Sequence, residues 1–111
     1  MRVMTGDVIA IGPGKIDLLE AIEATKSISG AAKSMGMSYR RAWLLVDEIN
    51  RTLSAPAVTT ATGGARGGGT DLTETGRTVV ALYRRIELRA MQACQADIDK
   101  LVALVQDACE P

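Results

Sequence analysis

The side chains best suited to bind another molecule follow one another in the segment Ser38-Tyr39-Arg40-Arg41. Arginine bonds bidentately to guanine or holds a phosphate, and serine and tyrosine hydroxyls bond to phosphates or base edges. Trp43 comes two residues later; its indole would either stack on a sugar or thymine methyl, or wedge against a neighbouring element. Two adjacent arginines also occur on solvated helix faces, so the element that carries them decides their role.

That element is predicted to be the second helix of a helix-turn-helix. Ser27 or Ser29 is suited to cap a short helix that runs through Lys33, Gly36 permits a tight turn, and Ser38 caps a helix that extends to about Leu53. Small and large apolar residues recur where the two helices should face each other and the core: Ala31, Met35, Met37, Ala42 and Leu45. On the helical wheel Ser38, Tyr39, Arg40 and Trp43 lie away from that core face, and Arg41 lies at its flank.

A β-hairpin is predicted to follow. Val58 to Ala61 is a short β-prone run, the glycine-dense segment TGGARGGGT reads as a loop, and Thr70-Asp71-Leu72 returns as a second strand. Such a hairpin after a helix-turn-helix is a wing. Arg66 in the loop could enter a minor groove, and Lys33, Ser27 and Ser29 could hold the adjoining DNA backbone.

The ends of the chain complete the predicted architecture. Asp7 to Ile11 is predicted to be a strand and Lys15 to Thr25 a first helix, and an uninterrupted helix is expected from about Thr73 to Glu110. In its first half, a stripe should pack on the domain: Val79, Leu82, Tyr83, Ile86 and Ala90. In its second half, a narrow seam of coiled-coil spacing predicts a homodimer: Met91, Cys94, Ile98, Leu101 and Val105. The alternative is that this half folds back on its own domain.

Composition makes a catalyst improbable. The 111 residues contain no histidine and two cysteines, so there is no imidazole base, no histidine-based metal site and no four-thiolate zinc site. We expect no cofactor, no signal peptide and no membrane span, and therefore a cytoplasmic protein. Cys94 and Cys109 are too far apart on one helix to bridge, and burial is expected for Cys94. Asp47 and Glu48 read as solvent-face charges.

The zero net charge hides an uneven distribution of charges. Residues 26–66 carry six basic side chains against two acidic ones, whereas the last fifteen residues carry four acidic side chains against one lysine. A basic middle segment is suited to bind an anionic partner, and the acidic C-terminal segment is expected to have a different role. The alternative is that these charges are simply scattered over solvent-exposed faces.

The segment from Lys15 to Arg85 resembles the N-terminal DNA-binding domain of ModE-type molybdenum-responsive transcriptional regulators. The resemblance is carried by four stretches: SISGAAKSMGMSYRRAW at Ser27–Trp43, LLVDEIN at Leu44–Asn50, TGGARGGGTDLTETG at Thr62–Gly76 and ALYRRIE at Ala81–Glu87. LysR-type regulators share the Ala-Ala-x3-Gly-x-Ser part but continue differently after the serine. The resemblance implies a winged helix-turn-helix, dimerisation and operator binding in bacteria. The molybdate-binding modules of full-length members have no counterpart here, so we expect no molybdate site. The chain is either a stand-alone short form or a part cut at a domain boundary, and Met1 with the acidic last helix favours the short form.

The sequence thus predicts a mainly α fold with a small β-hairpin: a winged helix-turn-helix followed by a long C-terminal dimerisation helix. Residues 1–75 would form the DNA-binding domain and residues 76–111 the helix that packs on it and then dimerises. The expected function is a homodimeric regulator bound to an inverted-repeat operator on double-stranded DNA. The alternative is a winged-helix module that binds proteins, which the near-neutral charge favours.

Overall fold

The computed structural model describes residues 1–60 and 69–105. The strands are β1 (Val3–Thr5), β2 (Val8–Ile11), β3 (Val58–Thr60) and β4 (Thr70–Leu72). The helices are α1 (Pro13–Thr25), α2 (Ile28–Ser34), α3 (Tyr39–Thr52), α4 (Glu74–Ala93) and α5 (Gln95–Leu104). The prediction of a mainly α fold with a small β-hairpin is confirmed. Within the described ranges, no helix is long and apolar enough to cross a membrane.

The N-terminus is a hairpin rather than the single predicted strand. β1 pairs antiparallel with β2, Thr5 opposite Val8 and Met4 opposite Ile9. Gly6 makes the turn at φ +60°, a left-handed conformation that glycine adopts without steric cost. The apolar run before this turn is too short to show the period of a strand, which is why the sequence prediction began only at Asp7.

Helices α1, α2 and α3 form the core of the module. Its largest fully buried side chains are Ile16, Leu18, Leu19, Ile22, Val46 and Ile49. Both predicted caps are present: the Ser27 hydroxyl accepts from the Gly30 N–H at 2.9 Å, and the Ser38 hydroxyl accepts from the Arg41 N–H at 3.1 Å. Gly36 has φ +68° in the turn between α2 and α3. The helix-turn-helix follows the predicted boundaries because each cap satisfies an otherwise unpaired N–H of a first turn.

The wing pairs β3 with β4 in antiparallel register, Val58 opposite Leu72 and Thr60 opposite Thr70. Val58 and Leu72 are buried in the core, so one face of the hairpin is part of the domain. The chain then turns directly into α4, where the Thr73 hydroxyl caps the helix by accepting from the Gly76 N–H at 3.1 Å. The described strand residues of the wing and the start of α4 lie where the sequence predicted them, whereas Ala61 and the glycine-dense segment up to Gly68 lie outside the described residues.

Helix α4 packs on the domain over a narrower stripe than predicted. Tyr83 is buried and Val79 half-buried, but Leu82, Ile86 and Ala90 are exposed. The Tyr83 hydroxyl donates to the Met1 carbonyl at 2.8 Å, and Arg84 forms ion pairs with Asp17 and Glu20 of α1. The docking thus rests on Tyr83, on the half-buried Val79 and Val80 packed against the core, and on the charge cluster around Arg84.

The predicted uninterrupted C-terminal helix is wrong. Cys94 lies at φ −109°, ψ 15°, outside the α-helical region, and it separates α4 from α5. Its N–H still donates to the Ala90 carbonyl at 3.0 Å, and its carbonyl accepts from the Ile98 N–H at 2.8 Å. Neither glycine nor proline marks this break in the sequence, and the apolar spacing continues across it. No sequence signal therefore shows that the helix ends at Cys94. Cys94 is exposed in the single chain, contrary to the expected burial.

Candidate nucleic-acid interface

An exposed ridge runs along the side of α3 that faces away from the core. We call it the outward ridge; it consists of Arg40, Leu44, Asp47 and Arg51. At 100° per residue these four positions lie opposite the buried Ala42, Val46 and Ile49. The ridge begins at the N-terminal turn of the helix. In a helix-turn-helix this turn of the second helix is the part that reaches base edges.

Tyr39 and Trp43 occupy one flank of this ridge. Tyr39 is 55% exposed and Trp43 38% exposed. Their rings meet edge to face, with centroids 6.2 Å apart and planes at 78°, a favourable geometry for two aromatic quadrupoles. The contact fixes the indole against its own helix and leaves part of both rings open to solvent.

Arg41 occupies the opposite flank, as predicted. It borders a cavity of about 540 Å³ together with Arg2, Lys15 and Glu48. The buried Lys15 ammonium donates to the Glu48 carboxylate and to the Ile9 carbonyl. The hydrogen bond from Lys15 and its charge hold the pKa of Glu48 below its ordinary value. The prediction that Glu48 is only a solvent-face charge is therefore wrong, because it ties α3 to α1.

The other predicted contact residues lie at the caps or on the exposed faces of α2 and α3. Ser29 and Lys33 are exposed on α2, and Arg40 and Arg41 are exposed on α3. The Ser27 and Ser38 hydroxyls accept backbone N–H groups as caps, and each hydroxyl hydrogen remains available to an outside acceptor. Arg66 lies outside the described residues. The predicted serines, Tyr39, Lys33 and the two adjacent arginines thus all lie on the helix-turn-helix.

The cations of this surface divide into two groups. Lys26 pairs with Asp71 at 2.9 Å, and Arg51 pairs with Asp47 at 3.0 Å. Lys33, Arg40 and Arg41 form no ion pair with any residue in the described ranges. No carboxylate in these ranges therefore competes, through an ion pair, with an external anion for these three side chains.

Asn50 connects α3 to the wing, a role the sequence prediction did not assign. Its side-chain oxygen accepts from the Ala57 N–H at 2.8 Å and the Val58 N–H at 3.1 Å, and its amide donates to the Val58 carbonyl at 3.1 Å. The sequence signal was an asparagine, a weak helix former, within the predicted helix and next to the apolar Ile49.

Lys26 makes the second connection to the wing, and no sequence signal pointed to it. Its carbonyl accepts from the Thr70 N–H at 3.1 Å, and its ammonium pairs with Asp71. The hydrogen bonds from Lys26 and from the Leu72 N–H lower the pKa of Asp71. The wing is thus fastened to the end of α1 as well as to α3.

The chemistry of this surface is that of a docking face. No group of three or more metal-ligating side chains occurs within residues 1–60 and 69–105. The surface combines hydroxyls, aromatic rings and cations that have no ion-pair partner in the described part of the chain, all on two capped helices beside the β3–β4 hairpin. These features define a winged helix-turn-helix module.

Known proteins of that class are similar to this chain. It is 44% identical over 84 residues to the molybdenum transport protein ModE of Azotobacter vinelandii, covering 76% of this chain and 31% of the relative. It is 47% identical over 77 residues to the molybdenum-pterin-binding protein MopB of Rhodobacter capsulatus, covering 69% and 28%. It is 42% identical over 71 residues to the DNA-binding transcriptional dual regulator ModE of Escherichia coli (strain K12), covering 64% and 27%. The resemblance to ModE-type regulators is confirmed.

The fold is similar to that of a solved structure, the full-length LysR-type regulator LysG of Corynebacterium glutamicum with bound effector Arg. The TM-score is 0.59 at 20% identity, covering 86% of this chain and 30% of that one. This likeness concerns the fold alone. No protein-family model matches the chain. The chain spans about 30% of the length of the first two curated relatives named above.

Proposed function

We propose that this chain is the DNA-binding part of a transcriptional regulator that acts in the cytoplasm as a homodimer on an inverted-repeat operator. The single observation that carries the proposal is the position of Arg40. It is exposed at the N-terminal end of the outward ridge of α3 and forms no ion pair within the described residues. A guanidinium in that position is suited to a bidentate bond with guanine in the major groove.

The surrounding residues support contacts to the DNA backbone. Ser38 and Tyr39 would place their hydroxyls near phosphates or base edges, and Trp43 would lie beside a sugar. Arg41, Lys33, Ser27 and Ser29 would contact phosphates of the flanking strand. Arg66 would reach the adjacent minor groove from the wing, whose strands are fastened to α3 and α1.

A homodimer is supported by apolar side chains without cover in the single chain. Met91, Cys94, Leu101 and Val105 are exposed, and Ile98 is half-buried. Residues 1–75 would then read DNA, and residues 76–111 would pack on this domain and pair two copies. In such a dimer the two Arg40 side chains would be about 34 Å apart, or a multiple of it, since half-sites face the same side of B-DNA once per helical turn.

The test is selection of bound duplexes from a randomised library at physiological salt, followed by titration of the enriched sequence. Arg40→Ala should weaken binding to that sequence by about 5- to 150-fold and relax preference at one base pair. Arg89→Ala is the matched control, because Arg89 is an exposed arginine on α4, away from the helix-turn-helix. Failure to enrich any sequence would contradict the proposal and favour a protein-binding module. Equal binding by the Arg40 and Arg89 variants would show that the reading surface lies elsewhere.

A further inference from the structure

We propose that Leu44 is a specificity-determining residue that reads the C5-methyl group of a thymine in the major groove. The proposal rests on the proposed function, since it assumes that the outward ridge of α3 faces DNA. It adds an apolar contact to a surface whose other predicted contacts are polar, charged or aromatic.

The position of Leu44 carries the inference. Leu44 is 59% exposed, although leucine is among the residues most often buried in proteins. It is four residues after Arg40, one helical turn along the same ridge, and it lies opposite the fully buried Ala42 and Val46. It is absent from the buried core and from the half-buried side chains packed against that core. The leucine therefore contributes little to packing within the single chain.

The charges around Leu44 favour DNA as its occupant. Arg40 precedes Leu44 by one turn on the ridge, whereas Asp47, one turn after it, is paired with Arg51. An apolar protein surface would leave the Arg40 guanidinium without an acceptor, whereas phosphates and base edges supply one. Thymine is the base that presents a methyl group in the major groove, and apolar side chains contact it there.

Helix geometry predicts which thymine is read. One turn of α3 separates Leu44 from Arg40 by about 6 Å along the helix axis. Base pairs stack about 3.4 Å apart along each strand, so the thymine should lie within about two base pairs of the position that Arg40 reads. The contact would make A·T distinguishable from the other pairs at that position.

The test removes the methyl group and the leucine separately. In the duplex enriched by wild-type protein, each thymine is replaced in turn by deoxyuridine, which lacks only the methyl, and the Kd is measured at fixed salt. One replacement near the Arg40-dependent position should weaken wild-type binding about fourfold, the value of one buried methyl. The same replacement should leave Leu44→Ala unchanged, because the leucine that senses the methyl is gone. Alanine is a strong helix former, so this variant keeps α3.

Leu88→Ala is the matched control, because Leu88 is 57% exposed but belongs to α4. This variant should retain the full fourfold loss on methyl removal. If wild-type protein selects a sequence but no deoxyuridine replacement depends on Leu44, the role of Leu44 is refuted and the proposed function stands. If Leu88→Ala loses the methyl effect as well, the effect is not specific to Leu44 and the assignment is refuted. If no sequence is selected, both proposals fail together.

Discussion

The Asn50 side chain bonds both backbone groups of Val58, accepting from its N–H and donating to its carbonyl, each at 3.1 Å. Asn50 belongs to α3 and Val58 is the first residue of the wing. The Asn50 amide thus bonds Val58 as the backbone of a neighbouring strand would, because an asparagine side chain presents the same donor and acceptor pair as a peptide group. The position of the wing relative to α3 depends on this residue.

Asn50→Ala should therefore destabilise the protein and loosen the wing. The variant leaves the Ala57 and Val58 N–H groups without their partner, and we expect a loss of about 1–3 kcal/mol in the free energy of unfolding. Urea denaturation followed by circular dichroism measures it. Gln95→Ala is the control, because the one side-chain partner of the Gln95 amide among the described residues is the exposed Asp99. Equal stability of the Asn50 and Gln95 variants would show that the three hydrogen bonds are replaced by water.

Gly76→Ala should be among the most destabilising substitutions of a small residue. A Cβ at Gly76 would stand 2.3 Å from the Ala57 carbonyl oxygen, which is backbone and cannot rotate away. We expect a loss of at least about 2 kcal/mol and a lower Tm, since overpacking forces the start of α4 away from β3. Gly14→Ala is the matched control: its Cβ would meet nothing within 4 Å, so thermal unfolding should show no loss of stability. Similar Tm values for the two variants would contradict this close approach.

The Arg84 cluster should make stability depend on pH. Arg84 donates to Glu20 of α1 at 3.1 Å and to Glu87 of α4 at 2.8 Å. The hydrogen bond from Arg84 lowers the pKa of Glu20, and its carboxylate partners raise the pKa of Arg84 itself. A lowered carboxyl pKa stabilises the fold above the ordinary value of 4.5, and this stabilisation is lost as pH falls through the folded-state pKa.

Arg84→Gln should accordingly cost about 1 kcal/mol at pH 7 and much less at pH 3, because these partly exposed pairs are screened by water. Chemical denaturation of both proteins at the two pH values measures the difference. Arg89→Gln, an exposed arginine further along α4, should have little effect at either pH. A difference between wild type and Arg84→Gln that stays constant from pH 7 to pH 3 would show that the cluster does not link α4 to α1.

The proposed dimer should depend on one face of α5. Leu101, 64% exposed in the single chain, belongs to the predicted seam, and Ala103 lies about 200° away from it on the same helix. Leu101→Asp should raise the dimer Kd at least about tenfold, because the carboxylate would be desolvated in the seam. Ala103→Asp should leave the dimer Kd unchanged. Sedimentation equilibrium measures both, and equal effects of the two variants would contradict a seam on this face.

Much of the helix-turn-helix and its outward ridge was predictable from local sequence. Ser27 and Ser38 each precede a helix-forming segment, and a serine there caps the helix because its hydroxyl satisfies an N–H group of the first turn. Gly36 marks the turn, and the period of apolar residues in α3 places Arg40 on the outer side and Arg41 at the flank. These features depend on neighbours within four residues, so composition and spacing suffice to predict them.

The sequence by itself determined the helix-turn-helix, the strands of the wing, and the residue types offered to an anion. Only the tertiary structure decided that Glu48 pairs with Lys15, that Asn50 and Lys26 hold the wing, and that Gly76 lies against Ala57. It also decided that the last helix breaks at Cys94 and that Leu82 and Ile86 stay exposed. Each of the four contacts joins residues seven or more positions apart. Contacts of this kind depend on how whole elements pack, which no local period or cap records.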